Sequence, residues 1–463
     1  MTEDRAMFES VLIANRGEIA VRVLRACREL GVRVVAVYSA EDRDSAVVRA
    51  ADASVQIGPA AARYSYLNMA ALMEAARKTG AQAIHPGYGF LSEDADFAEV
   101  CAAEGVTFIG PPPPVIRELG DKVAARTLMR EAGIPLLPGS FEPLRTAEEA
   151  LAIADSIGFP VIIKASAGGG GRGMRVVAHR GEFATAYAQT RGAAQSLFGD
   201  GRVYVERYLA GARHIEVQVL ADSQGSVVHL GERDCSVQRR HQKMIEESPA
   251  PNLPEPVAAR IRAAAVAGAR RAGYRGAGTF EFVVGPDGDF YFLEVNCRIQ
   301  VEHPVTEMVT GVDLVREQIR VAAGQPLGYG QADVVPRGVS LECRVTTEDP
   351  SRGFLPTPGV LTEFVPPAGP FVRVDTHAGP GYRISAAYDS LLAKLIVWAP
   401  DREQALNRMR RALAEFRISG PGVVTTIGLL SQILEEPSFR SGRHHTGLLD
   451  RLRLPETSGQ DRA

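Results

Sequence analysis

GTFEFVVGPDGDFYFLEVNCRIQVEHP (residues 278–304) is the stretch from which the rest of the chain can be read. Gly278–Val284 alternates aromatic or β-branched residues with others, as a strand requires, and Phe290–Asn296 repeats the pattern. Gly285-Pro286-Asp287-Gly288 lies between them, and Asp-Gly as a two-residue type I′ loop predicts a hairpin. That loop sets Pro286 against Asp289, Phe282 against Leu293 and Glu281 against Glu294. Two carboxylates directly opposite repel, and a pair built for stability alone would avoid them. Asn296, two residues beyond Glu294, shares its face. Two carboxylates and an amide oxygen are hard donors that suit Mg²⁺ or Mn²⁺ holding phosphates. The competing reading is a solvated polar face with coincidental acids.

The alternation continues past the hairpin. Glu294, Asn296, Arg298, Gln300 and Glu302 are polar, whereas Val295, Cys297, Ile299 and Val301 are apolar. If extended, one face carries metal ligands, then an anion-holding guanidinium, an amide and a potential base, with Pro304 ending the run. An edge strand with one wet face would look the same.

Upstream, FPVIIKA (159–165) and Arg175–Val177 read as strands joined by SAGGGGRGM (166–174). Glycine lets backbone N–H groups approach an anion, so the hairpin tip is read as a phosphate lid in preference to a surface loop. No G-x-x-x-x-G-K-[ST] run exists, and Lys164 stands on the strand before the glycines. ERDCSVQRRHQKMIEE (232–247) holds four cations and by itself reads as a solvated loop.

Nearer the N-terminus, SVLIAN is a buried strand, 17–30 an amphipathic helix stopped by Gly31, and VRVVAVYS another strand. A helix at 67–79, the strand Ala81–His85 and the turn HPGYGFLSE follow, which predicts a parallel α/β domain to about residue 115. The turn Asn15-Arg16-Gly17-Glu18 is not the G-x-G-x-x-G dinucleotide fingerprint. Pro111–Pro114 mark a boundary, and from Pro336 a further body of strands is closed by the helix DREQALNRMRRALAEF. The expected division is 1–120, 121–325 with a mobile lid at about 135–210, 336–450, and a tail at 451–463.

A chain of 463 residues has room for about three domains, and 45% apolar with 23% charged residues excludes a disordered or fibrous protein. A net charge of −3 gives no general basic field for nucleic acid or anionic membrane. No run nears the ~18 apolar residues of a membrane span. The start, MTEDRAMFES, lacks the apolar core of a signal peptide, so a cytoplasmic protein is expected. Cys27, Cys101, Cys235, Cys297 and Cys343 are too scattered for a zinc site or disulfide framework and are expected reduced. Only five of the 52 basic residues are lysine: Lys78, Lys122, Lys164, Lys243 and Lys394. Where arginine is the default cation, a lysine can mark a site needing a compact point charge.

Taken together, several runs resemble the biotin carboxylase family of the ATP-grasp superfamily: ANRGEIA (14–20), HPGYGFLSE (85–93), Lys164 with GGGGRGM (168–174), ERDCSVQRRHQKMIEE, GTFEF (278–282), RIQVEHPVTEM (298–308), FLPTPG (354–359) and YDSLLAKL (388–395). The resemblance covers about residues 8–450. It implies an α/β (α+β overall) fold: a Rossmann-like parallel α/β N-terminal domain, an ATP-grasp lid and central domain, and a biotin carboxylase C-terminal domain. It also implies that MgATP activates bicarbonate as carboxyphosphate and that N1 of biotin is then carboxylated.

By the same resemblance, Lys122 and Lys164 contact ATP phosphates with Gly170 and Gly171 closing over them. Glu206, Arg207, Tyr208 and Leu209 form the adenine edge, with His214 on the ribose and His241 nearby. Glu281, Glu294 and Asn296 are the metal set, agreeing with the hairpin argument. Lys243, Arg298, Gln300 and the backbone of Val301 hold bicarbonate, Glu302 is the general base, and Arg344 stabilises the oxygen of deprotonated biotin. Departures from the family pattern are Ala167, Cys297, Ala393 and Ala386-Ala387, and none removes a charge from this set. No lysine stands in Met-Lys-Met and no carrier-like domain follows residue 450. The expectation is therefore one component of a multicomponent acetyl-CoA or other acyl-CoA carboxylase, a homodimer working with a separate biotin carboxyl carrier protein and carboxyltransferase subunits. The rival readings are another ATP-grasp ligase and a non-catalytic nucleotide-binding protein.

Overall fold

Runs such as Val11–Ile13 and Val34–Val37 carry no polar residue, which suits strands covered on both faces. In the computed structural model, which describes residues 6–140, 142–166 and 173–452, these runs are fully buried at the centre of a parallel sheet. Its strands lie in the order Ala53–Gly58, Arg33–Ser39, Ser10–Ile13, Ala83–His85, Thr107–Phe108. Helix Gly17–Glu29 packs its apolar face into the same core. The two outer strands went unread in the sequence. One is a half-exposed run and the other is two residues long, so neither shows a period.

The centre of the molecule is an antiparallel sheet of eight strands. Their order is Phe290–Asn296, Gly276–Val284, Arg213–Ala221, Val227–Arg239, Gln242–Ser248, Val339–Thr346, Leu391–Ala399, Val372–Thr376. The sheet passes without a break across residues 325–336, because Glu246 pairs with Glu342 and Ile245 with Cys343. That pairing brings the strand bearing Arg344 beside the strand bearing Lys243. The mixed architecture, a parallel sheet followed by antiparallel ones, is the expected fold class. Among the described residues no helix is long and apolar enough to cross a membrane.

Three local expectations are corrected. The run 232–247 is no solvated loop: it forms two neighbouring inner strands, with Arg233 wholly buried. Its turn, Arg240-His241, has φ of 47° and 67°, a left-handed pair that usually calls for Asn or Gly. In the 276–296 hairpin, Glu281 does face Glu294, but Phe282 faces Phe292 and Val284 faces Phe290. The loop has three residues, Pro286–Gly288, closed by Gly285 N–H to Asp289 O at 2.8 Å, with Gly288 left-handed at φ 84°. A bulge at Leu293 then restores the register, so two departures cancel at the carboxylates. Finally, the chain does not stay extended to Glu302. The strand ends at Asn296 and helix His303–Thr310 begins with Pro304 in its first turn, where a missing N–H costs nothing.

A smaller sheet stands apart, in the order Met174–Val177, Val161–Ala165, Val203–Arg207. Helices Ala147–Ile157 and Phe183–Phe198 cover it and share its separate core. Lys164 pairs with Met174, as expected of two strands joined by the glycine run. Residues 167–172 of that run, Gly170 and Gly171 included, lie outside the described residues.

Candidate active site

Period-two patterning in an otherwise apolar strand puts charged side chains on one face of the long sheet. Lys243, on Gln242–Ser248, donates to Glu216 at 2.5 Å, Glu281 at 2.9 Å and Glu302 at 2.6 Å. Burial alone would lower its pKa, but the three carboxylates outweigh that and hold the ammonium charged. The second oxygen of Glu302 accepts from Arg344 Nη2 at 2.9 Å, and Arg344 Nε donates to Glu246 at 2.6 Å. Glu302 is buried, which would raise its pKa. Lys243 and Arg344 reverse this and keep it ionised, below the usual carboxylate range. Glu246 keeps the opposite balance: burial pushes it up to about 7 despite Arg344.

Beneath the cluster, Arg233 binds Glu216 at 2.5 Å, Gln218 at 2.8 Å and Gln300 at 2.7 Å. Gln300 in turn donates to Glu281 at 2.8 Å, and so does Asn296. His214 sits 3.0 Å from the other oxygen of Glu281 and 2.8 Å from Gln238. Burial would raise the pKa of Glu281, but Lys243 and His214 hold it well below the usual range. Arg298 Nη2 donates to Asn296 at 2.9 Å, while its Nε is held by Glu93 of the HPGYGFLSE loop at 2.8 Å. Glu294 lies across from Glu281 with Lys122 Nζ at 3.2 Å and its side chain 27% exposed. Paired carboxylates, an amide and compensating cations are a donor set that fits a divalent ion of the Mg²⁺ type.

Lys122 is the first residue of helix Lys122–Glu131, whose start Asp121 caps through the N–H groups of Val123 at 2.9 Å and Ala124 at 3.0 Å. Lys164, on the small sheet, contacts Glu206 at 2.6 Å, and Glu206 also contacts Arg126. Burial and the nearby Lys122 ammonium push Lys164 down to about 7, with the Glu294 carboxylate opposing them. Arg207, Tyr208 and Leu209 follow at the end of the same strand. Arg207 points outward and donates to Ile157 O at 2.7 Å, and Tyr208 N–H donates to Pro160 O at 3.0 Å. His241 is exposed at the hairpin tip, with its pKa lowered first by desolvation and then by Lys164.

The structure thus gathers Lys243, Glu281, Asn296, Gln300, Glu302 and Arg344 into one connected network, with Arg298 joined through Asn296. Lys122, Glu294, Lys164 and Glu206 form a second group between the two sheets. Sequence reading missed Glu216, Arg233, Glu246 and Glu93. For Glu216 a signal existed: His214, Glu216 and Gln218 make a polar stripe within RHIEVQVLA (213–221).

Family models cover nearly the whole chain: "Biotin carboxylase, N-terminal domain" over 7–116, "Carbamoyl-phosphate synthase L chain, ATP binding domain" over 121–329, and "Biotin carboxylase C-terminal domain" over 342–451. The chain belongs to the biotin carboxylase family. It is 51% identical over 445 residues to the biotin carboxylase of Nostoc sp., covering 96% of this chain and 99% of that one. It is also 53% identical over 437 residues to the biotin carboxylase of Pseudomonas aeruginosa, covering 94% of this chain and 96% of the relative. Among solved structures, the biotin carboxylase domain dimer of Hydrogenobacter thermophilus 2-oxoglutarate carboxylase, in complex with MgADP, ADP and bicarbonate, superposes with a TM-score of 0.93. It shares 47% identity and covers 96% of this chain and 98% of its own. Of the departures from the biotin carboxylase pattern, Cys297 and Ala393 are buried, Ala386-Ala387 is exposed, and Ala167 is not among the described residues.

Proposed function

We propose that this chain is the ATP- and bicarbonate-dependent ligase that carboxylates biotin, the first half-reaction of a biotin-dependent carboxylase. The observation that carries the reading is Glu302, a buried carboxylate gripped between Lys243 and Arg344. A bicarbonate anion is drawn to Lys243, Arg298 and Arg344 and aligned by Gln300 and the Val301 N–H. Glu302, ionised throughout the working pH range, takes its proton. The freed oxygen forms a bond to the γ-phosphorus as the bond to the ADP oxygen breaks, which yields carboxyphosphate. Lys122 and Lys164 hold the phosphates, with Glu206–Leu209 at the adenine, His214 on the ribose and His241 beside it. Glu281, Glu294 and Asn296 would hold Mg²⁺ or Mn²⁺, which when bound neutralises the polyphosphate. The carboxyl group then passes to N1 of biotin as its bond to the phosphate oxygen breaks. The inorganic phosphate released takes the N1 proton, and Arg344 stabilises the ureido oxygen of the deprotonated ring.

The biotin is carried outside residues 1–463, since no lysine here stands in Met-Lys-Met. We place the chain as a homodimer in the cytoplasm, alongside a biotin carboxyl carrier protein and carboxyltransferase subunits, in an acyl-CoA carboxylase with acetyl-CoA the first acceptor to try. The five buried, unbridged cysteines suit a reducing compartment. The test is ADP release from MgATP with bicarbonate and free biotin. Release that needs both is the expected result. Release driven by another carboxylate moves the chain to a different ligase, and ATP binding without turnover to a non-catalytic role.

A further inference from the structure

Lys394 is the one buried lysine that the proposed chemistry leaves unused. It stands on strand Leu391–Ala399 with no exposed surface. Its ammonium lies 3.2 Å from Glu18 and 3.8 Å from Asp375, which balance its charge. Its remaining hydrogen bond goes elsewhere: Nζ donates to the backbone carbonyl of Val301 at 2.8 Å. That carbonyl belongs to the turn Gln300–His303, in which Glu302 has φ −79° and ψ 5° and the His303 N–H reaches Gln300 O at 3.3 Å. The preceding carbonyl is held as well. His303 is wholly buried, and its Nδ1 lies 2.7 Å from Gln300 O. A carbonyl only accepts, so that ring nitrogen carries the hydrogen.

Both carbonyls that bracket Val301 are therefore gripped by buried side chains. A trans peptide is planar, with N–H and C=O opposed. Holding Gln300 O aims the Val301 N–H, and holding Val301 O aims the Glu302 N–H and tilts the base. We infer that Lys394 and His303 are positioning residues that orient the Val301 amide toward the bicarbonate and keep Glu302 at its place in the turn. A compact ammonium suits this: it satisfies a carbonyl and a carboxylate at once, where a planar guanidinium would need more room. Through Glu18, on helix Gly17–Glu29, the same lysine ties the turn to the N-terminal domain.

The inference rests on the bicarbonate reading above, and the test separates the two. Bicarbonate-dependent ADP release is followed in wild type, K394M, K394Q, H303L and H303N, with KM for bicarbonate and for ATP measured in each. K394M and H303L should raise the bicarbonate KM about 10-fold or more, as expected when a hydrogen bond to an anion is misaligned. The ATP KM should stay within about 2-fold. H303N, whose amide places a donor near the Nδ1 position, should recover most of the loss, and K394Q part of it. K394M leaves Glu18 without its cation, whereas Asp375 keeps Arg373 at 2.7 Å, so E18Q/K394M serves where K394M does not fold, and the His303 pair stands independently. Wild type without bicarbonate-dependent release would sink the functional reading itself. An active wild type with folded K394M (or E18Q/K394M) and H303L at the normal bicarbonate KM would overturn the inference alone. So would an equal rise in both KM values.

Discussion

The charge cluster on the long sheet and the lysine pair between the two sheets hold cations in opposite conditions. Lys243 touches three carboxylates, and each of those is supported by a further partner such as Arg233, His214 or Arg344. Lys164 has Glu206 on one side and the like charge of Lys122 on another. The first arrangement fixes protonation and geometry before any substrate arrives. The second sets Lys164 between one carboxylate and a like charge in a buried place, a balance that a polyphosphate tips toward the ammonium. A pocket for a small anion needs preorganisation, whereas a nucleotide site spanning two bodies can complete itself on binding.

Removing the proposed base tests the preorganised side most severely. Glu302→Gln keeps the shape but cannot accept a proton, so biotin-dependent ADP release should fall by about 10²–10⁴-fold with the fold intact. Full activity would remove Glu302 from the chemistry. Lys243→Met tests the pairing itself. It takes from Glu216, Glu281 and Glu302 the cation they share in a buried site, leaving them Arg233, His214 and Arg344 respectively, and should cost about 3–5 kcal/mol in urea unfolding. Wild-type stability in that variant would mean that the cluster is not electrostatically closed.

The proposed nucleotide side should respond to pH instead. Lys164, at about 7, is largely neutral at pH 8 in the free protein. Bound phosphates favour the ammonium, so ATP or ADP binding at pH 8 should take up close to one proton, and uptake should vanish below about pH 6, where the lysine is already charged. Calorimetry in buffers of different ionisation enthalpy measures this, and Lys164→Met should abolish the uptake. The smallest effect is expected at Glu294, whose pair with Lys122 is partly exposed. Glu294→Gln should change stability by less than about 1 kcal/mol while raising the Mg²⁺ concentration needed for half-maximal ADP release. A large loss of stability would place Glu294 with the closed cluster.

Much of this was legible in residue order. Period-two runs marked the strands of the hairpin, opposed glutamates marked a site that stability alone would not build, and the run RIQVEHPVTEM identified the family. The turn at 300–303 was not legible, because alternation of polar and apolar residues looks the same in a strand as in a strand followed by a turn. Pro304 settles it only once a helix is seen to start there. The basic run 232–247 misled for a related reason: charge reads as exposure unless the partners are known, and those of Arg233 come from segments 15 or more residues away.

What the sequence determined by itself was local: strand periods, helix caps, turn chemistry and the types of chemical group each segment brings. Only the tertiary structure decided which groups meet. The eight-stranded sheet and the turn beside it bring residues 216, 243, 281, 302 and 344 together, and burial then turns separate charges into one network by removing the water that would otherwise screen them. Pairing across a sheet is set by register, and here a long loop and a bulge cancel to leave Glu281 facing Glu294. No single segment encodes that cancellation, because it depends on how two strands pack against a third.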